Sequence, residues 1–272
     1  MEAQDLRDRG RRCHQSGSSR LWRCRPCCRV STWLRSTIFC ARPNCDWRDP
    51  TFSISAKDRL TDRDLGRFPT DSLFDRLARA VCHAGCLPRK ELYEAWEVAR
   101  RVRRIFRGGR IVDLAAGHGL LAHVLLILDN ASPHALVVDT TLSPSSGKLH
   151  GALVSVWPRL DGRIIFGKQS LDSVPLFGDD VVVSAHACGA LADRVLERGA
   201  AARARVAVLP CCHDLDVNDA GPLAGWMDGP LAVDVMRAVR LEQCGYRVRT
   251  QTIPRAITHK NRLLLGEPTT GG

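Results

Sequence analysis

The chain has 272 residues, 44% of them hydrophobic and 25% charged, which suits one soluble α/β domain with an appended segment. No run of about eighteen uncharged apolar residues occurs, so no helical membrane span is expected. The formal charge of +11 is uneven: residues 1–110 carry 25 Lys and Arg against 13 Asp and Glu, a net +12, and the remaining 15 against 16 leave −1.

The opening residues, Met1-Glu-Ala-Gln-Asp-Leu-Arg-Asp-Arg, lack the apolar run of a secretory signal. The expected location is therefore cytoplasmic, with the 12 cysteines as thiols rather than disulfides. Residues 1–68 read as a basic, Cys- and Arg-rich extension, poorly ordered. Cys24, Cys27, Cys40 and Cys45 form two close pairs across a zinc-ribbon-like gap. The wide second spacing, the surplus Cys28 and the missing turn glycines weigh against a zinc knuckle, and no metal site is assigned.

Residues 69–108 form a helical lead-in. Asp71 is expected to cap a helix carrying Leu73, Phe74, Leu77, Ala80 and Val81 on one face. Gly85 and Pro88 end it and open a second helix, Arg89 to Phe106. That helix finishes in Arg100, Arg101, Arg103, Arg104 and Arg107, with Arg110 beyond. Late arginines complement the helix dipole, but so many together predict a patch for RNA; a solvated arginine-rich face is the alternative.

From Gly109 the pattern is strand, turn, helix, strand: an apolar strand (110–114), a small-residue turn (115–119), an apolar helix (120–128) and a strand from Ala135 ending at Asp139. Gly117 and Gly119 let a ligand approach main-chain N–H groups at a helix start. Asp139 is placed for ribose hydroxyls. Gly117-His-Gly-Leu-Leu-Ala122 fits a relaxed dinucleotide fingerprint, which keeps an NAD-dependent oxidoreductase as an alternative. Read from Asp113, however, Asp-Leu-Ala-Ala-Gly-His-Gly resembles motif I of class I S-adenosylmethionine-dependent methyltransferases, with Ala115 at the first glycine. An acidic residue there suits an α-ammonium group and would repel a pyrophosphate.

A loop and a helix to about Trp157 lead to a third strand, Arg163 to Phe166, and then to Gly167-Lys-Gln-Ser-Leu-Asp172. Gln169, Ser170 and Asp172 become adenine-side candidates by their position in that fold. Further strands at 180–184 and 205–209, a helix from about Leu191 to Gly199, another at 231–244, and strands at 246–252 and 262–265 complete the chain. The alternation predicts a Rossmann-like, doubly wound, mostly parallel seven-stranded sheet with a closing antiparallel hairpin over residues 109–268.

Two strand endings carry reactive side chains: Ser184-Ala-His186-Ala-Cys188-Gly-Ala-Leu-Ala-Asp193, and Leu209-Pro-Cys211-Cys212-His213-Asp214. Both fall at the carboxyl edge, where open α/β sheets bind ligands. Cys188 or Cys211 has the chemistry of a nucleophile, and His186 or His213 that of a base. The cysteines and His213 are metal-ligand types, although adjacent cysteines do not readily share an ion. Plain burial of small thiols and a structural histidine is the remaining alternative.

These two motifs, with Ile253-Pro-Arg-Ala-Ile-Thr-His-Lys260-Asn-Arg262, resemble the methyltransferase domain of ribosomal-RNA-adenine-dimethylase-like and methyltransferase-like proteins and of the glutathione-S-transferase C-terminal-domain protein. The likeness spans roughly Asp71 to Gly266. It implies a class I fold, bound S-adenosylmethionine and methyl transfer to RNA. The Asn/Asp-Pro-Pro-aromatic loop of adenine N6 methylation is missing. On this reading Asp113, Ala115, Gly117, Gly119, Asp139, Gln169, Ser170 and His186 hold the cofactor, and His186, Cys211 and His213 serve the acceptor side. A methyltransferase-like RNA-binding module without turnover is the non-enzymatic alternative.

Overall fold

A computed structural model describes residues 53–269 except His186; the candidate thiolate pairs at Cys24–Cys45 lie outside the described residues. Helices α1 (Leu73–Ala84) and α2 (Arg89–Ile105) precede the sheet. The cap of α1 is Ser72 rather than Asp71: Ser72 Oγ accepts from the Asp75 N–H at 3.1 Å. Residues 53–68 belong to the folded body, contrary to the extension expected there. Leu60 and Phe68 are buried in the main core, and the Leu60 N–H donates to Leu87 O at 3.0 Å. The folded part therefore begins well before the first amphipathic helix.

The sheet contains β1 (Ile111–Leu114), β2 (Ala135–Asp139), β3 (Ile164–Lys168), β4 (Val181–Ser184), β5 (Arg205–Val208), β6 (Tyr246–Thr252) and β7 (Arg262–Pro268). Its order is β3-β2-β1-β4-β5-β7-β6. The first five strands are parallel, while β7 lies antiparallel between β5 and β6. Strand β3 runs two residues further than the apolar pattern suggested. Gly167 and Lys168 pair with Val138 and Asp139, so the loop begins at Gln169.

Alternation along each strand sorts side chains into two cores. Ile111, Val137, Val183, Ala207 and Leu265 face the layer of α1, α2, α3 (Leu120–Leu128) and α4 (Ser146–Val156). Val112, Leu114, Val138, Val182 and Val206 face α5 (Ala190–Ala201) and α6 (Gly229–Gln243). Eight consecutive residues of α3, Leu120 to Ile127, are buried, which is why that helix shows no polar stripe. Connections run outward from β1 toward β3 and from β4 toward β6. The carboxyl ends of β1 and β4 therefore flank a switch-point crevice. Among the described residues no helix is long and apolar enough to cross a membrane.

Candidate cofactor cleft and thiol cluster

The turn after β1 is built on left-handed backbone. Ala115 has φ 53°, Gly117 φ 57° and Gly119 φ 78°. A side chain at Gly119 would meet Val137 Cγ1 at 2.8 Å, so this glycine lets α3 close on β2; at Gly117 a side chain would meet only open space. Gly117 thus leaves a free backbone surface at the mouth of the cleft. Ala115 keeps the glycine conformation without being glycine.

Two carboxylates bracket this turn. Asp113 lies on the α3 side of β1, 1% exposed, and accepts the Ala122 N–H at 3.2 Å. Burial pushes its pKa well above the usual carboxylate range, and Asp139 adds to the rise. Among the described residues no cation pairs with it. Asp139, at the tip of β2, accepts the Gly117 N–H at 3.0 Å and the Thr141 N–H at 3.2 Å. Beside it, the Gln169 N–H donates to Asp139 O at 3.1 Å, which brings the adenine-side candidate to the same edge. The Ser170 hydroxyl accepts the Asp172 N–H at 3.3 Å, and Asp172 pairs with Arg194 at 2.6 Å. The Ser170 hydroxyl is thus engaged within the loop, and Asp172 ties the loop to α5.

The start of α2 roofs the turn: Glu91, Ala95, Asp113, Ala116, His118 and Ala185 line a small cavity, with His118 Nδ1 3.7 Å from Glu91. Sequence reasoning missed these roof residues, because α2 reaches the turn only through tertiary packing. It also missed His123. Its Nδ1 lies 2.7 Å from Gly119 O and its Nε2 3.1 Å from His150 Nδ1. Burial lowers the His123 pKa to about 4. The neutral ring therefore donates from Nδ1 and braces the turn.

At the neighbouring strand ends the expected residues divide. His186 lies outside the described residues. The His213 side chain is 4% exposed and its Nε2 lies 2.7 Å from Asp234. Arg262 and Arg237 also bind Asp234, at 2.6 and 3.1 Å. Burial alone would raise the Asp234 pKa, but the His213 and Arg262 hydrogen bonds hold it below the usual range. Arg237 further grips Asp193 at 2.8 Å and Gly189 O at 3.3 Å. His213 thus meets Asp234, Arg237 and Arg262 in one polar cluster. The cluster reaches both cysteine-bearing loops, at His213 next to Cys212 and at Gly189 next to Cys188.

The thiols do converge. Sγ atoms of Cys188, Cys211 and Cys212 all lie within 4.8 Å of one another. Cys188 and Cys211 are 2.7 Å apart, Cys211 and Cys212 3.9 Å. Lys260 Nζ, from the loop between β6 and β7, donates to Cys212 at 3.3 Å. Burial and the neighbouring thiols push Cys211 up, whereas hydrogen bonds from Cys188 and Lys260 pull Cys212 down.

The arginines expected to form one patch are dispersed. Arg103 is 2% exposed and binds Asp129 at 3.2 Å, Ser132 Oγ at 2.8 Å and Leu125 O at 3.2 Å. Arg110 pairs with Asp180 at 2.7 Å and lies over Phe177. Arg100 and Arg101 both pair with Glu97. Arg104 and Arg107 are exposed. Because α2 leads into the first residue of β1, its last turn stands at the amino edge of the sheet. The cofactor turn stands at the carboxyl edge, one strand length away.

No protein-family model and no curated protein matches the chain. Similar solved structures include an O-methyltransferase family protein from Burkholderia thailandensis, at 18% identity and TM-score 0.46, covering 80% of this chain and 66% of that one. Human N-acetylserotonin methyltransferase in complex with SAM aligns at 17% identity and TM-score 0.40, covering 77% of this chain and 63% of that one. A ribosomal protein L11 methylase from Lactobacillus delbrueckii subsp. bulgaricus aligns at 14% identity and TM-score 0.42, covering 65% and 77%. The chain spans less than two thirds of the human enzyme's length.

Proposed function

We propose that the protein is a class I S-adenosylmethionine-dependent methyltransferase whose cofactor sits over the turn from Ala115 to Gly119. The observation that carries this reading is the placement of two carboxylates around that turn. Asp113 is buried without a cationic partner among the described residues, and Asp139 lies against the Gly117 N–H. A buried carboxylate calls for a cation. The α-ammonium of the cofactor's amino-acid end is one, whereas the pyrophosphate of NAD would be repelled.

Asp113 would hold that ammonium, Asp139 the ribose hydroxyls, and the open face of Gly117 would let the ligand meet main-chain N–H groups. Bound there, S-adenosylmethionine supplies an electrophilic methyl group. The chain's contribution is chiefly position: the turn braced by His123 and the roof of α2 hold one reactant against the acceptor side formed by the ends of β4 and β5. The finer resemblance, to the ribosomal-RNA-adenine-dimethylase-like group, rests on the two cysteine motifs, which share this edge.

RNA is the acceptor class we propose. Its support is the net +12 of residues 1–110 and Trp226, 85% exposed in the segment between Cys212 and α6, a surface on which a base can stack. Calorimetric titration of the full chain with S-adenosylhomocysteine, with NAD as comparison, tests the cofactor reading. Micromolar binding that Asp139→Ala weakens is the expected result. Preference for NAD, or binding of neither, overturns it.

A further inference from the structure

We propose that Cys188, Cys211 and Cys212 form a three-thiolate site for one thiophilic metal ion of the zinc class at the carboxyl edge of the sheet. The proposal rests on the convergence of three sulfurs from two strand ends, and methyl transfer is not among its premises.

Zinc–thiolate bonds of about 2.3 Å at tetrahedral angles separate the sulfurs by about 3.8 Å. Cys211 and Cys212 already stand 3.9 Å apart. Adjacent residues of a regular strand point to opposite faces; these two do not, because residues 209–214 follow β5 without regular structure. Cys188 is nearer to Cys211, at 2.7 Å. It is also the exposed member of the three, so its side chain can rotate outward by the ångström that an ion requires.

Both cysteine-bearing segments are anchored in advance. Arg237 binds Gly189 O next to Cys188, and its partner Asp234 binds His213 next to Cys212. The Leu209 N–H donates to Ser184 O at 2.9 Å, which ties the end of β5 to the end of β4. The ligands are thus held by hydrogen bonds to Arg237, Asp234 and the end of β4 that metal binding need not break.

Ligand chemistry selects the ion. Among the described residues the group consists of three sulfurs and no carboxylate, a set that favours zinc or a similarly soft ion over magnesium or calcium, which require oxygen donors. Three thiolates around a divalent ion leave a net charge of −1, and the Lys260 ammonium, 3.3 Å from Cys212, offsets it. His213 is committed to Asp234 and supplies no fourth ligand. Among the described residues the site offers three protein ligands, which with a fourth, exchangeable ligand on the exposed Cys188 side would match an open site.

The test uses the full chain, reduced, stripped with chelator and then titrated with cobalt(II), cadmium(II) or zinc(II). One equivalent should bind with a thiolate-to-metal charge-transfer band and release protons to the buffer. Cys188→Ser and Cys212→Ser should each lose that equivalent while retaining the wild-type circular dichroism spectrum. Cys244→Ser, and a variant with Cys24, Cys27, Cys40 and Cys45 all changed to Ser, should keep it. The proposal is overturned if both single variants bind like wild type, if the equivalent disappears with the front-end variant, or if the reduced protein binds none. Isolation of Cys188 and Cys211 as a disulfide from metal-treated, reduced protein would equally overturn it in favour of a redox pair.

Discussion

Asp139 Oδ2 accepts the backbone N–H of Gly117 at 3.0 Å, so the tip of β2 is fastened to the turn that follows β1. The same carboxylate is the one proposed to receive ribose hydroxyls. Its two tasks make a clear prediction. A hydrogen bond to a charged group contributes about 1.5–3 kcal/mol, and tenfold in affinity is about 1.4 kcal/mol. Asp139→Ala should therefore weaken S-adenosylhomocysteine binding by roughly 10- to 100-fold by calorimetry, with an intact far-ultraviolet spectrum. Unaltered affinity would remove Asp139 from the site.

Asp113 predicts a pH effect. Its pKa in the folded chain is raised by burial, so the native state holds the proton more tightly than the unfolded state. Above the unfolded value of about 3.9, stability falls as pH rises, until the folded value is passed. Asp113→Asn keeps an acceptor for the Ala122 N–H and removes the charge. The variant should melt higher than wild type at neutral pH, by roughly 2–4 °C per kcal/mol recovered, and lose that advantage below about pH 4. It should also bind S-adenosylhomocysteine at least about tenfold more weakly, because the ammonium loses a charge-assisted bond. A variant less stable at neutral pH, with full affinity, would contradict both halves of the argument.

Ala115 occupies left-handed backbone at φ 53°, a conformation that costs an L-residue about 1–2 kcal/mol. Glycine removes the strain but has more freedom to lose on folding. The expected net for Ala115→Gly is a gain of about 0.5–1 kcal/mol, measurable by chemical denaturation. A loss of stability would mean that the alanine methyl packs better than the strained backbone suggests.

The arginines of α2 should separate into two classes. Arg103→Met removes one partner of a buried pair with Asp129 and should cost about 3–5 kcal/mol. Arg104→Ala should change stability by no more than about 0.5 kcal/mol. If exposed arginines at this edge meet RNA, the double change Arg104→Ala and Arg107→Ala weakens RNA binding and flattens its salt dependence without shifting the melting temperature. Unchanged salt dependence would leave the basic front of the chain as the source of any RNA affinity.

Much of the α/β core could be read along the chain. The bounds of α3, Leu120–Leu128, and of β6, Tyr246–Thr252, agree with the apolar and β-branched runs that suggested them. The limits failed where local pattern competes with pairing. Gly167 and Lys168 look like loop residues, yet β2 supplies partners that draw them into β3. Ser72 and Asp71 are both good caps, and only the direction in which the chain enters α1 chose between them.

What the sequence determined by itself was periodic or conformational: short apolar runs alternating with helices, left-handed positions after β1, and acidic residues at strand tips. Each follows from steric and solvation preferences over a few neighbouring residues. Tertiary structure decided which polar groups meet. It buried Arg103, drew His213 to Asp234, set His150 against His123, and gathered Cys188, Cys211, Cys212 and Lys260 from three separate loops. Such meetings depend on strand order and crossover, which bring residues more than twenty positions apart within hydrogen-bonding distance, and no local pattern encodes them.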